Sequence, residues 1–339
     1  MKINNLKTHS TVIHSLHQED RIATPSFSAC AKILVGGSTT GLKRMAVIST
    51  LSAALFGCAG LSDSGPTGTL ASGTFLESLS HDGESREYIV YIPSSYDGSE
   101  AVPLMMAFHG FGGTAEDFMD WTQMRPLAEQ ENFIVVFPQG SLLEGSPHWN
   151  SALASADNKS TADDLGFVDA MMDELTATYR IDAERIYTSG YSNGSFFSYA
   201  LACYRSDLVA AVGSVSGTMM DGLIEDCDPS HPTAMINIHG TSDYVVPYSG
   251  GPGYSSVDEV MDYWMDANNT DRTAITTSTG NMEQYLYSNG EGDIEIAHYR
   301  VNGGGHVWFT QDDDGINASE LIWDFVSQFD KQGVIEASE

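Results

Sequence analysis

Five stretches of this chain read as buried strands that close on glycine: PLMMAFHG (103–110), FIVVFPQG (133–140), RIYTSG (185–190), VAAVGSVSG (209–217) and TAMINIHG (233–240). A strand with one face in water alternates apolar and polar residues, whereas a run without alternation needs cover on both faces. Such strands belong to a mainly parallel sheet, whose neighbours are joined by long crossovers that pass over its faces. The intervening segments have helical patterns. TAEDFMDWTQMRPLAEQ opens with Thr114 and Asp117 at capping-box spacing, and DDLGFVDAMMDELTATY follows Thr161. SVDEVMDYWMDA places Ser256 three before Glu259, and INASELIWDFVSQFDK (316–331) is the expected closing helix. REYIVYIP (86–93) alternates, as a half-buried antiparallel strand does. The expected architecture is α/β, a mainly parallel central sheet with helices on both faces.

The N-terminal part differs in composition. Lys43 and Arg44 precede an apolar run from Met45 to Phe56, followed by Gly57 and Cys58. This segment resembles a lipoprotein signal, with Leu55, Gly57 and Cys58 at the lipobox positions, and its apolar stretch is short for a permanent span. Lipidation of Cys58 is the expectation, with a plain secretory signal as the alternative. The polar residues 1–41 are an odd extension for an export signal, so translation is expected to begin near Leu42. The chain then divides into an extension and signal (1–57), a Ser/Gly/Thr/Pro-rich tether (58–72), one large domain (73–331) and a short tail (332–339).

Formal charge is −31, from 15 basic and 46 acidic residues. Residues 1–57 hold six of the basic and two of the acidic residues, so the remainder carries 9 against 44. Without a basic patch to neutralise phosphates, nucleic acid is excluded as a partner, and the acidic excess reads as a solvated surface. A membrane is expected only through the anchor at Cys58. Past Cys58, Cys203 and Cys227 are the remaining cysteines: a disulfide in an oxidising compartment, or two separate buried thiols.

Within TSGYSNGSFFSYALAC (188–203), Ser192 stands between Gly190 and Gly194 where a strand pattern gives way to a helix. That is the setting of a nucleophile elbow, a tight turn that strains the serine backbone and tolerates only minimal neighbours. A serine hydroxyl attacks only when a base takes its proton and a carboxylate orients that base. His306, in VNGGGHVWF, follows the strand-like DIEIAHYRV on a glycine-rich loop, and Asp243 follows TAMINIHG. Both fall at strand C-terminal ends, facing one crevice. The order Ser192, Asp243, His306 is that of an α/β-hydrolase. Asp243 taken alone would be an ordinary turn aspartate. An oxyanion hole is expected from the N–H of Asn193 and, in HGFGG (109–113), that of Phe111, with Gly112 next. Trp149 and His109 are candidate substrate contacts and Phe111 a further apolar wall, although aromatics are as often core. His148 is placed beside the pocket, His239 and His298 in structural positions, and His81 and His231 on surface or loops.

Together with these residues, SREYIVYIPSSY, FHGFGG, WNS at Trp149, DDLGFVDAMMDEL, YRIDAERIYTSGYSNG, LAC at Cys203, HPTAMINIHGTSDYVVPY and GGGHVWF resemble the α/β-hydrolase esterases that include polyhydroxybutyrate depolymerases and feruloyl esterases. The resemblance runs from about residue 73 to 331. It implies Ser192 as nucleophile, Asp243 as acid, His306 as base and pairing of Cys203 with Cys227. The implied reaction is hydrolysis of carboxylic esters through an acyl-enzyme: feruloyl or acetyl groups on polysaccharides, or short hydroxyalkanoate esters. It needs no cofactor and no metal; DDDG (312–315) lacks the spacing of an EF-hand loop. A peptidase on the same fold and a non-catalytic exported binding protein are the alternatives.

Overall fold

The computed structural model describes residues 71–153, 160–310 and 317–336. The signal-like segment with Cys58, nearly all of the tether, DDDG and most of ALASADNKS (152–160) lie outside these residues. The strands are β1 (Gly73–His81), β2 (Glu84–Ile92), β3 (Val102–Phe108), β4 (Ile134–Pro138), β5 (Ser141–Leu143), β6 (Ser146–His148), β7 (Ile181–Tyr191), β8 (Ala211–Val215), β9 (Ala234–Gly240), β10 (Ile275–Thr279), β11 (Met282–Tyr287), β12 (Ile296–Val301), β13 (Phe329–Asp330) and β14 (Gly333–Val334). The helices are α1 (Ala115–Thr122), α2 (Met124–Glu131), α3 (Asp164–Thr178), α4 (Asn193–Tyr204), α5 (Leu223–Asp226), α6 (Val257–Ala267) and α7 (Ala318–Val326).

One ten-stranded sheet has the order β1-β2-β4-β3-β7-β8-β9-β12-β11-β10. Its centre, β4 to β12, is parallel, and antiparallel strands flank it on both sides. Successive residues of β3 serve opposite faces: Leu104, Met106 and Phe108 join the core under α3, α4 and α6, while Met105 and Ala107 join that under α1, α2 and α7. Two apolar layers therefore sandwich the sheet, which is why its central strands show no polar alternation. This is the α/β-hydrolase fold. Chain order reverses around β3, since the chain goes from β3 to β4 on one side and then to β7 on the other. Crevices at such switch points lie beyond the strands' C-terminal ends.

Several local features depart from the sequence reading. The helical stretch 114–130 is two helices, because Gln123 takes a left-handed conformation at φ 55°. Pro126 explains the break: in one continuous helix its ring would clash with the carbonyl four residues back. Asp163, not Thr161, caps α3, its side chain accepting from the Gly166 N–H. The closing helix is shorter than 316–331; α7 ends at Val326, and the chain turns into the β13–β14 hairpin, drawing the first residues of the expected tail into the fold. The outer strands β1, β11 and β10, of which β1 and β10 are the sheet edges, carry no continuous apolar run, and β10 is exposed throughout, so no buried run marks them in the sequence.

Cys203 at the end of α4 and Cys227 after α5 form a disulfide. By loop-closure entropy, a bridge spanning 24 positions stabilises by about 3 kcal/mol. Replacing both cysteines with alanine is expected to lower the unfolding free energy by about that amount in a urea titration.

His298 on β12 is buried, its Nδ1–H donating to the Asn237 side-chain oxygen at 3.0 Å and its Nε2 accepting from the Tyr248 hydroxyl at 2.6 Å. Burial, and then the neighbouring His239, pushes its pKa down from 6.5 to about 3. The folded state therefore refuses a proton that the unfolded chain accepts, so this group's contribution to stability is complete above pH 6.5 and is lost as pH falls towards 3. Between about pH 6.5 and 5 the loss amounts to about 2 kcal/mol. His298→Gln is expected to be less stable than the parent near neutrality yet to lose about 2 kcal/mol less on acidification, read from urea midpoints at the two pH values. Parallel acid slopes would contradict this.

Candidate active site

The site begins with a steric demand. Ser192 stands between β7 and α4 at φ 52° and ψ −119°, a region L-residues rarely occupy. A Cβ on Gly190 would lie 2.2 Å from the Gly194 carbonyl carbon, and one on Gly194 would lie 2.1 Å from the Phe108 carbonyl oxygen. The two glycines let the start of α4 press against the ends of β7 and β3. The Ser192 N–H is anchored on the Val215 carbonyl at 3.0 Å.

Parallel pairing of β9 with β12, Gly240 opposite Val301, brings the loops after these strands together. His306 lies on one and Asp243 on the other. The His306 Nδ1–H donates to Asp243 Oδ2 at 2.8 Å, leaving Nε2 to accept from the Ser192 hydroxyl at 3.0 Å. Ser192 is 9% exposed and His306 half-buried. Burial alone would push the Asp243 carboxyl up. Hydrogen bonds from His306 and the Val246 N–H, with the attraction of His306, outweigh it and hold the carboxyl below the usual range. Its Oδ1 accepts from the Val245 and Val246 N–H groups at 2.9 and 2.8 Å. Such an acid stays ionised at neutral pH and can stabilise an imidazolium.

Two amides face the question of the oxyanion. The Asn193 N–H, first in α4, and the Phe111 N–H make no hydrogen bond within the described residues. Gly112, the runner-up in the sequence reading, is already committed: its N–H donates to the Pro147 carbonyl at 2.7 Å, and that of Gly113 to Gly110 at 3.0 Å. The free pair sits where β3 and β7 end side by side, Phe108 opposite Gly190.

Of the two expected substrate contacts, Trp149 lies in the core, whereas His109, though nearly buried, contributes to the lining of the cavity beside the oxyanion loop. Trp149 is 2% and His109 1% exposed. Trp149 stacks on Phe197 and meets the edge of Phe108, and its indole N–H donates to the His109 carbonyl at 3.0 Å. Burial pushes the His109 pKa down, and its Nε2 accepts from the Gly140 N–H at 3.0 Å, so it is a neutral brace for the oxyanion loop. His148 is buried, bonding to the Ser141 carbonyl and the Ser160 hydroxyl. His239, buried and held neutral chiefly by desolvation, bonds to the Val246 carbonyl beside Asp243. His81 pairs with Asp163, and His231 bonds to the Ser206 carbonyl.

The aromatic walls beside the oxyanion loop are Phe111, 59% exposed, with Trp121, Tyr191 and the buried Phe118. They line a cavity of about 330 Å³ beside the oxyanion loop, with His109, Thr114 and Asp117 also at its lining. Of these, the sequence reading had Phe111 and His109, since Trp121 and Tyr191 look like ordinary helix and strand residues.

The side chain of Asn193 was also missed. Its carbonyl oxygen accepts from the Trp149 N–H at 2.7 Å and its amide donates to the Trp149 carbonyl at 2.9 Å, so a residue next to the nucleophile clamps the loop that supports the oxyanion strand. Only the signature WNS hinted at that loop. From Asn150 the clamp continues to Asp164, whose carboxylate accepts from the Asn150 N–H at 2.7 Å and is ion-paired with Arg86 at 2.6 Å in the interior. Asn193→Ala would leave a backbone donor and acceptor unpaired and is expected to cost about 1–3 kcal/mol in urea unfolding.

Residues 86–262, 52% of the chain, match the family model described as "Esterase PHB depolymerase". Feruloyl esterase B of Piromyces equi is 29% identical over 254 residues, covering 72% of this chain and 45% of that protein. A bifunctional acetylxylan esterase/xylanase of Neocallimastix patriciarum is 28% identical over 258 residues, covering 76% of this chain and 35% of that protein. The chain thus spans less than half the length of these two relatives. Among solved structures, acetyl xylan esterase from Aspergillus awamori superposes with a TM-score of 0.54 at 17% identity, over 75% of this chain and 99% of that one, a likeness of fold.

Proposed function

The chain belongs to the Esterase PHB depolymerase family, and on that premise we propose that it hydrolyses carboxylic esters through an acyl-enzyme on Ser192. The observation that carries this reading is the continuous run of hydrogen bonds from the Ser192 hydroxyl through His306 to Asp243, 3.0 and 2.8 Å, beside two unengaged amide N–H groups. His306 Nε2 takes the proton of Ser192 as the oxygen attacks the ester carbonyl. The Phe111 and Asn193 N–H groups receive the charge on the carbonyl oxygen, and the imidazolium, stabilised by Asp243, returns its proton to the departing alcohol. Water activated by the same imidazole then releases the acid. A serine in this elbow needs no metal or cofactor for either half-reaction.

The acyl group is assigned to the cavity walled by Phe111, Phe118, Trp121 and Tyr191. At about 330 Å³ it stands at the small end of ligand pockets, roughly 300–1,000 Å³, enough for one acyl group and too small for a polymer segment. Its aromatic walls favour a flat aryl acyl group of the feruloyl kind over acetyl or short hydroxyalkanoate groups. The names of the related feruloyl and acetylxylan esterases support the same range of substrates. Export, with an anchor at Cys58, is part of this reading; the disulfide and the signal-like segment at 41–60 support it.

The purified protein is expected to release p-nitrophenol from short acyl esters and to turn over methyl ferulate with a higher kcat/KM than methyl hydroxybutyrate. Ser192→Ala should abolish both activities, and Asp243→Asn should lower kcat by about 10⁴ at neutral pH by favouring the wrong imidazole tautomer. Equal turnover by the parent and Ser192→Ala would refute the mechanism. Peptide cleavage without ester turnover would favour a peptidase.

A further inference from the structure

The base stands at the end of Asn302-Gly303-Gly304-Gly305-His306, a segment whose three glycines add backbone freedom where the imidazole most needs a fixed place. Two hydroxyls hold it, one from the end of β7 and one from the residue just past β8. Tyr191 O–H donates to the carbonyl of His306 and Ser216 O–H to that of Val307, each at 2.9 Å. Tyr191 is the residue just before the nucleophile, so the group that grips the base is covalently joined to Ser192. Its ring centre lies 5.0 Å from that of the imidazole and 5.0 Å from that of Trp121, the latter in an edge-on arrangement. A Cβ on Gly110 would come 2.8 Å from this ring, so the oxyanion loop packs directly against it. The same ring is a wall of the acyl cavity. Burial, and then the charge of Asp243, pushes the phenol up to about 12, and it remains a donor across the neutral range.

We propose that Tyr191 is a positioning residue with two separable parts: its hydroxyl sets His306 in register with Ser192, and its ring shapes the cavity that receives the acyl group. The proposal rests on the esterase reading above. Removing the hydroxyl alone should impair the proton transfers without changing the cavity, whereas removing the ring should impair both. A residue that merely supports folding would alter the fraction of competent molecules and leave the rate per competent molecule intact.

The test uses the full chain and its Tyr191→Phe and Tyr191→Ala variants, with p-nitrophenyl acetate and methyl ferulate as probes. Competent sites are counted from the initial burst of p-nitrophenol, and thermal melting is followed alongside. Tyr191→Phe is expected to lower kcat per competent site about tenfold on both esters, the effect of one lost hydrogen bond, with KM within about twofold. Tyr191→Ala is expected to show the same kcat loss and, in addition, a KM for methyl ferulate raised about tenfold while that for the acetate stays within about twofold. Parental kcat per competent site in Tyr191→Phe, or a loss confined to burst amplitude and melting temperature, would overturn the proposal. A parent protein inert to both esters would overturn the esterase reading and the proposal with it, an outcome distinct from an active Tyr191→Phe variant.

Discussion

A backbone contact without side chains underlies the site: the start of α4 comes so close to the end of β3 that a Cβ on Gly194 would stand 2.1 Å from the Phe108 carbonyl oxygen. That approach puts the first N–H of α4 and the loop after β3 around one point, and it forces Ser192 into its strained turn. The strain is tolerated because the elements on either side are fixed by burial, β7 between β3 and β8 and α4 against the apolar face beneath it. Sheet order then brings the remaining groups. β9 and β12 are parallel neighbours, so loops of only a few residues carry Asp243 and His306 to the same edge.

Around this point the electrostatics divide into one kept charge and several refused ones. Asp243 is buried yet ionised, because hydrogen bonds from His306 and the Val246 N–H and the attraction of His306 compensate its desolvation. For the buried His109, His239 and His298 desolvation outweighs the hydrogen bonds, and for His109 and His239 the neighbouring carboxylates, that oppose it, and they are held neutral, which suits them to fixed hydrogen bonding in the scaffold. The large acidic excess elsewhere lies mainly on the surface and takes no part in this balance; Asp164, paired with Arg86 in the interior, is an exception with its own partner. The chemistry thus depends on local geometry rather than on net charge.

Much of this was legible in the sequence where the physics is local. The runs that became β3, β4 and β9 announced themselves because both of their faces are buried, and the glycines of the elbow marked a backbone constraint that few other residues meet. Ser192, Asp243 and His306 could be named from their order and their positions after strands, and the structure places them within hydrogen-bond distance. What depends on distant partners was not legible. Nothing in the sequence around Asn193 tells that its side chain pairs with Trp149, 44 positions away, nor that Trp149 turns into the core while Trp121 turns out. A solvent-exposed strand such as β10 leaves no apolar trace, and the break at Gln123 required attention to where Pro126 would fall in a helix.

The most direct measurement is peptide mapping by mass spectrometry after treating the full chain with a fluorophosphonate, which bonds covalently to an activated serine. One adduct per molecule, on the peptide containing Ser192 and absent when His306 is replaced by alanine, is the expected result. Labelling of a different serine, or undiminished labelling of Ser192 without His306, would contradict the account.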